Sequence, residues 1–221
     1  MNRGKFIVFE GCEGSGKTTQ SKKLSQWLES QGIATHWTRE PGGTVLGRQL
    51  REFTLLSEID LTTEIFLLLA DRANHVAEIK QKLTLGYWVL CDRFTWSTLA
   101  YQGYGYGYSL ESLEYLNSLA CQGLSPDWTI LLDINPRIGL ARKQQQGELN
   151  KFEAKDIEFH DRVRNGYRQL FYKTKKDASL TFCWYSMLYC QSSINPDRQI
   201  SAEVLHSTIV KRIPFSLNSN A

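Results

Sequence analysis

The chain has 221 residues, 42% hydrophobic and 22% charged, which excludes wholesale disorder and is enough for one domain with its own core. Formal charge is only +3, from 26 Lys and Arg against 23 Asp and Glu, too small for a dedicated nucleic-acid or membrane-surface binder. Five cysteines without a CxxC pair and four scattered histidines support neither a disulfide framework nor a zinc site, and the longest apolar run, 65–70, is far short of a membrane span.

Lys5-Phe-Ile-Val-Phe-Glu10 is a short apolar run that reads as a strand, with no signal-peptide layout, so the expected address is the cytoplasm. A Gly-rich turn follows, then a helical pattern carrying Leu24, Trp27 and Leu28. The turn, Gly11-Cys12-Glu13-Gly14-Ser15-Gly16-Lys17-Thr18, fits G-x-x-x-x-G-K-[ST]. By average composition a chance match in a chain this long has odds of roughly one in a hundred, and the strand–turn–helix context lowers them further. Such glycines let successive backbone N–H groups turn inward around phosphate oxygens at a helix N-terminus. Lys17 would reach the β- and γ-phosphates and the Thr18 hydroxyl would hold Mg²⁺, with Thr19 completing an ATP-binding segment.

Further strands are expected at 35–38, 87–91, Trp128–Asp133 and 180–185, separated by helical patterns. Arg39 opens the loop Arg39-Glu-Pro-Gly-Gly-Thr44 after the second strand, where a guanidinium could clamp an anion. The clearest helix carries Ile65, Leu68, Leu69, Arg72, Val76, Ile79 and Leu83. Arg72 lies on its apolar stripe and needs a partner or a wet pocket. Asp92 and Arg93 follow the third apolar run, at the carboxyl end of a strand, where α/β sheets bind ligands. Asp92 could hold a metal-bound water and Arg93 could bridge donor and acceptor phosphates. The Gly-spaced run Tyr101-Gln-Gly-Tyr-Gly-Tyr-Gly-Tyr108 reads as a mobile loop beside the pocket.

Asn135-Pro136 is an N-cap followed by a first helical residue. One long charged helix is expected beyond it, with Phe152, Phe159, Val163, Tyr167 and Leu170 on one face. Positions 142–176 hold ten Lys and Arg against five Asp and Glu, so the net positive charge is concentrated there. Residues 180–196 carry no assignable role, and 214–221 read as a flexible tail. Alternating strands and helices imply an α/β fold, a parallel sheet with helices on both faces, in one domain over 1–221.

A phosphate loop alone does not name a reaction. Asn150-Lys-Phe-Glu153 lacks the Asp of a guanine signature, and Asp92 is followed by Arg93 where a motor ATPase carries an acidic pair. Phosphoryl transfer to a small acceptor is the class that needs acceptor-side arginines.

The chain resembles the bacterial-type thymidylate kinases. The matching segments are the phosphate loop, Thr38-Arg-Glu-Pro-Gly-Gly-Thr44, Ala70-Asp-Arg-Ala73, Asp92-Arg-Phe-Thr-Trp-Ser-Thr-Leu-Ala-Tyr-Gln-Gly103, Pro126-Asp-Trp-Thr-Ile-Leu-Leu-Asp133 and Phe159-His-Asp-Arg-Val-Arg-Asn-Gly-Tyr167. The resemblance implies a P-loop NTPase fold with a five-stranded parallel sheet, ATP as donor, dTMP as acceptor, Mg²⁺, and a homodimer, with no nucleic-acid or membrane partner. It places Lys17, Asp92 and Arg93 in catalysis, with Thr18 and Asp92 toward the metal. Glu13 falls near the deoxyribose and metal, Arg39 and Arg93 on the dTMP phosphate, Arg72 and Gln102 on the thymine edge, and Ser97 and Tyr101 along the sugar. Two positions depart from the family. Leu68 stands where an aromatic residue stacks on thymine, and the lid, about 142–152, carries glutamines in place of arginines. Arg142 is therefore the expected principal lid cation, with Lys143 and Lys151 as the other cations available. Two further readings are a nucleotide-binding protein without catalysis and a related kinase for another nucleoside monophosphate.

Overall fold

All six residues of β1 (Phe6–Gly11) are buried, which makes it the central strand of the molecule. The computed structural model describes residues 3–56, 58–145, 147, 150–176, 184–189 and 200–213. Alternation along β1 divides its side chains between two apolar layers. Phe6 and Val8 cluster with Val76, Ile79 and Leu83 of helix α3 (Leu61–Thr84). Ile7 and Phe9 join a larger cluster with Leu24 and Leu28 of α1 (Lys17–Ser30). Each fully buried Phe or Leu contributes about 1.5–3 kcal/mol, so this strand anchors whatever follows it.

Strands β2 (Thr35–Arg39), β3 (Trp88–Asp92), β4 (Trp128–Asp133) and β5 (Trp184–Tyr189) complete a five-stranded parallel sheet in the order β2-β3-β1-β4-β5. The chain leaves β1 toward β2 and leaves β3 in the opposite direction toward β4. Their carboxyl ends therefore border the crevice where open α/β sheets bind ligands. The remaining helices are α2 (Val45–Leu56), α4 (Thr95–Thr98), α5 (Leu110–Cys121), α6 (Pro136–Gln144), α7 (Ile157–Lys176) and α8 (Ala202–Lys211). Asp60 caps α3 by accepting from the Thr63 N–H at 3.0 Å, and Asn135 caps α6 by accepting from the Arg137 N–H at 3.0 Å.

Three expectations are corrected. The last strand runs on to Tyr189, past the end of the expected 180–185, because its pairing with β4 continues from Trp128 opposite Trp184 to Asp133 opposite Tyr189. The single long helix after Pro136 is two helices. Gly147, at φ 135, leaves helical geometry; Asn150 then accepts from the Phe152 and Glu153 N–H groups, and Asp156 caps α7 by accepting from the Phe159 N–H at 2.7 Å. Phe152 thus belongs to the connection between the helices. The Tyr101–Tyr108 stretch is not a mobile loop at its start: α4 runs on into a π-helix (Leu99–Gly105) in which Tyr101 and Gln102 are buried. There Gly105 serves close packing, since a Cβ would stand 2.7 Å from the Phe159 ring. Residues 180–183, 190–196 and 214–221, together with lid positions 146, 148 and 149, lie outside the described residues.

Helix α6 meets the phosphate loop glycine to glycine. A Cβ on Gly14, which has φ 66, would stand 2.1 Å from the Gly139 carbonyl oxygen, and one on Gly139 would stand 2.2 Å from that of Glu13. This approach seats the helix that carries Arg142 directly on the loop. Gly139→Ala is expected to lower unfolding free energy by about 1–3 kcal/mol in urea titrations. An unchanged midpoint would show that α6 is not seated in this way.

Candidate active site

One cavity of about 650 Å³ opens at the carboxyl ends of β1 and β3. Glu13, Gly14, Ser15, Gly16, Lys17, Thr18, Thr19, Arg39, Leu68, Arg72, Asp92, Arg93, Ser97, Tyr101, Gln102 and Arg142 all line it. Gly11 and Cys12 lie behind its wall, where burial pushes the Cys12 thiol up to about 12 and keeps it neutral.

The donor side is built by the β1–α1 turn. Lys17 is buried, and its ammonium donates to the Cys12 carbonyl at 2.7 Å and the Ser15 hydroxyl at 3.3 Å. Burial, and then Arg93, push that ammonium below its ordinary value. Thr18 donates its hydroxyl to Asp92 Oδ2, while Asp92 Oδ1 is buried with no partner among the described residues. A hydroxyl beside an unsatisfied buried carboxylate oxygen is a hard oxygen donor pair. It fits Mg²⁺, which takes one or two protein oxygens and fills the rest of its shell from water and phosphate.

Arg93 stands at the junction of the two sides. Its Nη2 donates to Glu13 Oε1 at 2.6 Å and Tyr101 Oη at 3.3 Å, and its Nη1 to the Gly11 carbonyl at 3.2 Å, Ser97 Oγ at 3.2 Å and Tyr167 Oη at 3.1 Å. Burial alone would raise the Glu13 carboxyl, but Arg93 and then Lys17 outweigh it and hold it down at about 2. Ser97 in turn donates to Glu10 at 2.6 Å, so a carboxylate inside the central strand anchors the residues that hold Arg93. Glu10 carries a sequence signal, being an acidic residue within an otherwise apolar buried run.

The acceptor side gathers more positive charge. Arg39 Nε is buried without a partner among the described residues. Arg51 of α2 lines the same wall and donates to the Pro41 carbonyl at 3.0 Å. Burial, followed by Arg39 and Arg93, drives the Arg51 guanidinium down to about 10. A buried guanidinium depressed by two others converging on it describes a site for an anion. Sequence reasoning missed Arg51, because nothing within α2 shows that tertiary packing turns it toward the Arg39 loop.

Arg72 finds the partner its position demands. Nε donates to Glu40 Oε2 at 2.8 Å, Nη2 to the Phe94 carbonyl at 3.0 Å, and Nη1 to Thr98 Oγ1 at 3.1 Å and to Asn117 Oδ1. Glu40, within the loop after Arg39, is shared with His75 at 3.0 Å and held below its usual range by Arg72, against the upward push of burial. Burial and then Glu40 push the nearby Asp71 carboxyl up to about 6. Leu68 presents an aliphatic wall one turn before Arg72.

In the stretch expected to form a lid, Arg142 Nη1 donates to the Gly14 carbonyl at 2.9 Å, whereas Lys143 pairs with Glu153 at 3.2 Å and Lys151 with Glu64 at 2.7 Å. At the opposite end of the donor side, Gln20, Ile200, Ser201, Ala202 and Leu205 extend the wall, with Gln20 donating to the Ala202 carbonyl at 2.9 Å. These residues before and within α8 were also missed, since their motif-free sequence becomes part of the site only when α8 packs on α1.

The thymidylate kinase family model matches residues 9–180. A thymidylate kinase of Carboxydothermus hydrogenoformans is 48% identical over 171 residues, spanning 76% of this chain and 84% of the relative. One from a Nostoc species is 43% identical over 212 residues and spans 93% of both chains. Among solved structures, the crystal structure of thymidylate kinase from Ehrlichia chaffeensis superposes with a TM-score of 0.74 at 30% identity, covering 95% of this chain and 98% of that one.

The Glu13–Arg93 pair carries a pH signature. The folded carboxyl sits at about 2, below its ordinary 4.5, so the stability it adds is full above pH 4.5 and is lost as pH falls to about 2. In urea unfolding across this range, Glu13→Gln is expected to be less stable than the parent at neutral pH, with the difference vanishing toward pH 2. A difference that stays constant with pH would contradict the pairing.

Proposed function

The chain belongs to the thymidylate kinase family, and from that premise we propose that it transfers the γ-phosphoryl group of ATP to dTMP, giving ADP and dTDP. The observation that carries this reading is one cavity with a phosphate-cradling loop on one wall and the Arg39, Arg51 and Arg93 guanidiniums on the other. An acceptor phosphate oxygen is already anionic at neutral pH, so the chemistry needs no general base. Positioning and charge neutralisation carry the rate.

The backbone from Gly11 to Thr19 holds the β- and γ-phosphates, with Lys17 reaching toward them. Thr18 and Asp92 would hold Mg²⁺, which when bound would neutralise charge on the phosphate oxygens. Arg93 reaches between donor and acceptor, and Arg39 with Arg51 takes the dTMP phosphate. Glu13, Ser97 and Tyr101 line the sugar, Leu68 covers the base, and Arg72 and Gln102 address its edge. Arg72 retains one Nη2 hydrogen outside its four bonds, sufficient for a base carbonyl. Ile200 and Leu205 give the adenine an apolar seat.

Residues 1–221 act as a single domain whose lid is 142–152, with Arg142 as its principal cation. Exposed Phe53 on α2 and Phe66 on α3, two helices packed on one another, support a homodimer. Free buried thiols at Cys12, Cys91 and Cys121 suit the cytoplasm. No helix among the described residues is long and apolar enough to cross a membrane.

A coupled ADP-release assay with ATP, Mg²⁺ and each nucleoside monophosphate in turn is expected to show turnover with dTMP. Measurable ATP binding without turnover on any acceptor, or a preference for dCMP or dAMP, would overturn the reading. In the same assay Arg142→Ala is expected to lower kcat by about 10² or more, given the worth of arginine fingers. Lys143→Ala should have the smaller effect, and the reverse order would remove Arg142 from its role.

A further inference from the structure

The base end of the cavity contains a buried relay that the reaction itself does not use. Glu64, on α3, is buried and accepts from Gln102 Nε2 at 2.8 Å on Oε1 and from the Lys151 ammonium at 2.7 Å on Oε2. A carboxylate held against an ammonium accepts hydrogen bonds and donates none. The Gln102 amide therefore cannot be turned over. Its nitrogen must face Glu64, which leaves Oε1 as the group it can offer elsewhere. Gln102 is buried and lines the cavity, and no hydrogen bond to its Oε1 is present among the described residues.

We infer that Glu64 is a specificity-determining positioning residue: it locks Gln102 as a hydrogen-bond acceptor, so that the site takes a pyrimidine carrying N3–H and rejects one carrying a bare N3. The inference rests on the proposed reading of Arg72 and Gln102 as the residues that meet the base edge. Arg72 supplies the complementary half, because a guanidinium only donates and Glu40, Thr98, Asn117 and the Phe94 carbonyl fix its fork. A fixed donor beside a fixed acceptor matches the O4 and N3–H of thymine or uracil. Cytosine presents an amino group to the donor and a lone pair to the acceptor, two mismatches at once. Since Lys151 comes from the lid and lies on Glu64, the same contact ties the lid's base to the group that reads the nucleobase.

The test compares kcat/KM for dTMP and dCMP in the parent enzyme, Glu64→Gln and Gln102→Leu. An amide at position 64 can donate as well as accept, which frees Gln102 to turn over and meet a bare N3. The dTMP/dCMP ratio is expected to fall about tenfold in Glu64→Gln, the worth of one hydrogen bond. The change should lie in the acceptor KM rather than kcat, a split that a general loss of packing would not produce. If Glu64→Gln does not fold, Glu64→Met removes the amide's partner altogether and carries the same expectation, with ATP titration reporting an intact donor side. An unchanged ratio in a folded Glu64 variant, while Gln102→Leu loses discrimination, overturns the positioning role. An unchanged ratio in Gln102→Leu instead overturns the reading of Gln102 as a base contact, and the inference falls with it.

Discussion

Arg93 supplies the one guanidinium through which the parts of this site are joined. Its backbone is left-handed, φ 74, a conformation that favours glycine and that a side chain this large adopts only when its surroundings dictate it. Those surroundings are specific: the Arg93 N–H donates to the Phe9 carbonyl of β1 at 2.9 Å, turning the chain at the end of β3 into the crevice. From there the side chain reaches the phosphate loop through Gly11 and Glu13, α4 through Ser97, the π-helix through Tyr101 and α7 through Tyr167. A lysine has the charge but not the planar fork, so it could not span these partners together.

The electrostatics of the cavity follow from where its cations stand. Lys17, Arg39, Arg51, Arg72, Arg93, Arg142 and Lys143 line one space, against the carboxyl groups of Glu13, Glu40, Asp71, Asp92 and Glu153. Lys17 and Arg51 are held below their ordinary values, first by burial and then by neighbouring arginines, which means that each gains when an anion arrives. Binding of phosphates at either wall is thus favoured by relief of repulsion as well as by direct hydrogen bonding. The small positive excess of the whole chain is concentrated over 142–176, a stretch that begins with Arg142 bonded to the Gly14 carbonyl of the loop.

Much of this was legible in the sequence, and the parts that were not share a cause. The buried strand, the glycine loop and the Asp92-Arg93 strand end are local signals, each set by residues within a dozen positions of one another. Arg72 could be marked as needing a partner because an apolar stripe is a local pattern too, but Glu40 as that partner is fixed only by tertiary packing. Arg51, Glu64 and the residues around α8 enter the site by the same long-range route. The π-helix was misread as a mobile loop because its glycines look like flexibility, whereas Gly105 admits the Phe159 ring. The helix break after Gln144 was missed for the opposite reason: the apolar spacing from Phe152 to Leu170 continues in phase across a connection stopped by Gly147 and restarted by Asp156.

The site therefore depends on the shape of the Arg93 guanidinium rather than on its charge alone. Single-turnover phosphoryl transfer by Arg93→Lys, at saturating ATP and dTMP with ATP affinity measured in parallel, tests this most directly. The expected result is a rate lower by about 10²–10³, the range for removing a preorganised charge-stabilising donor, with ATP still bound. A rate close to that of the parent would contradict it.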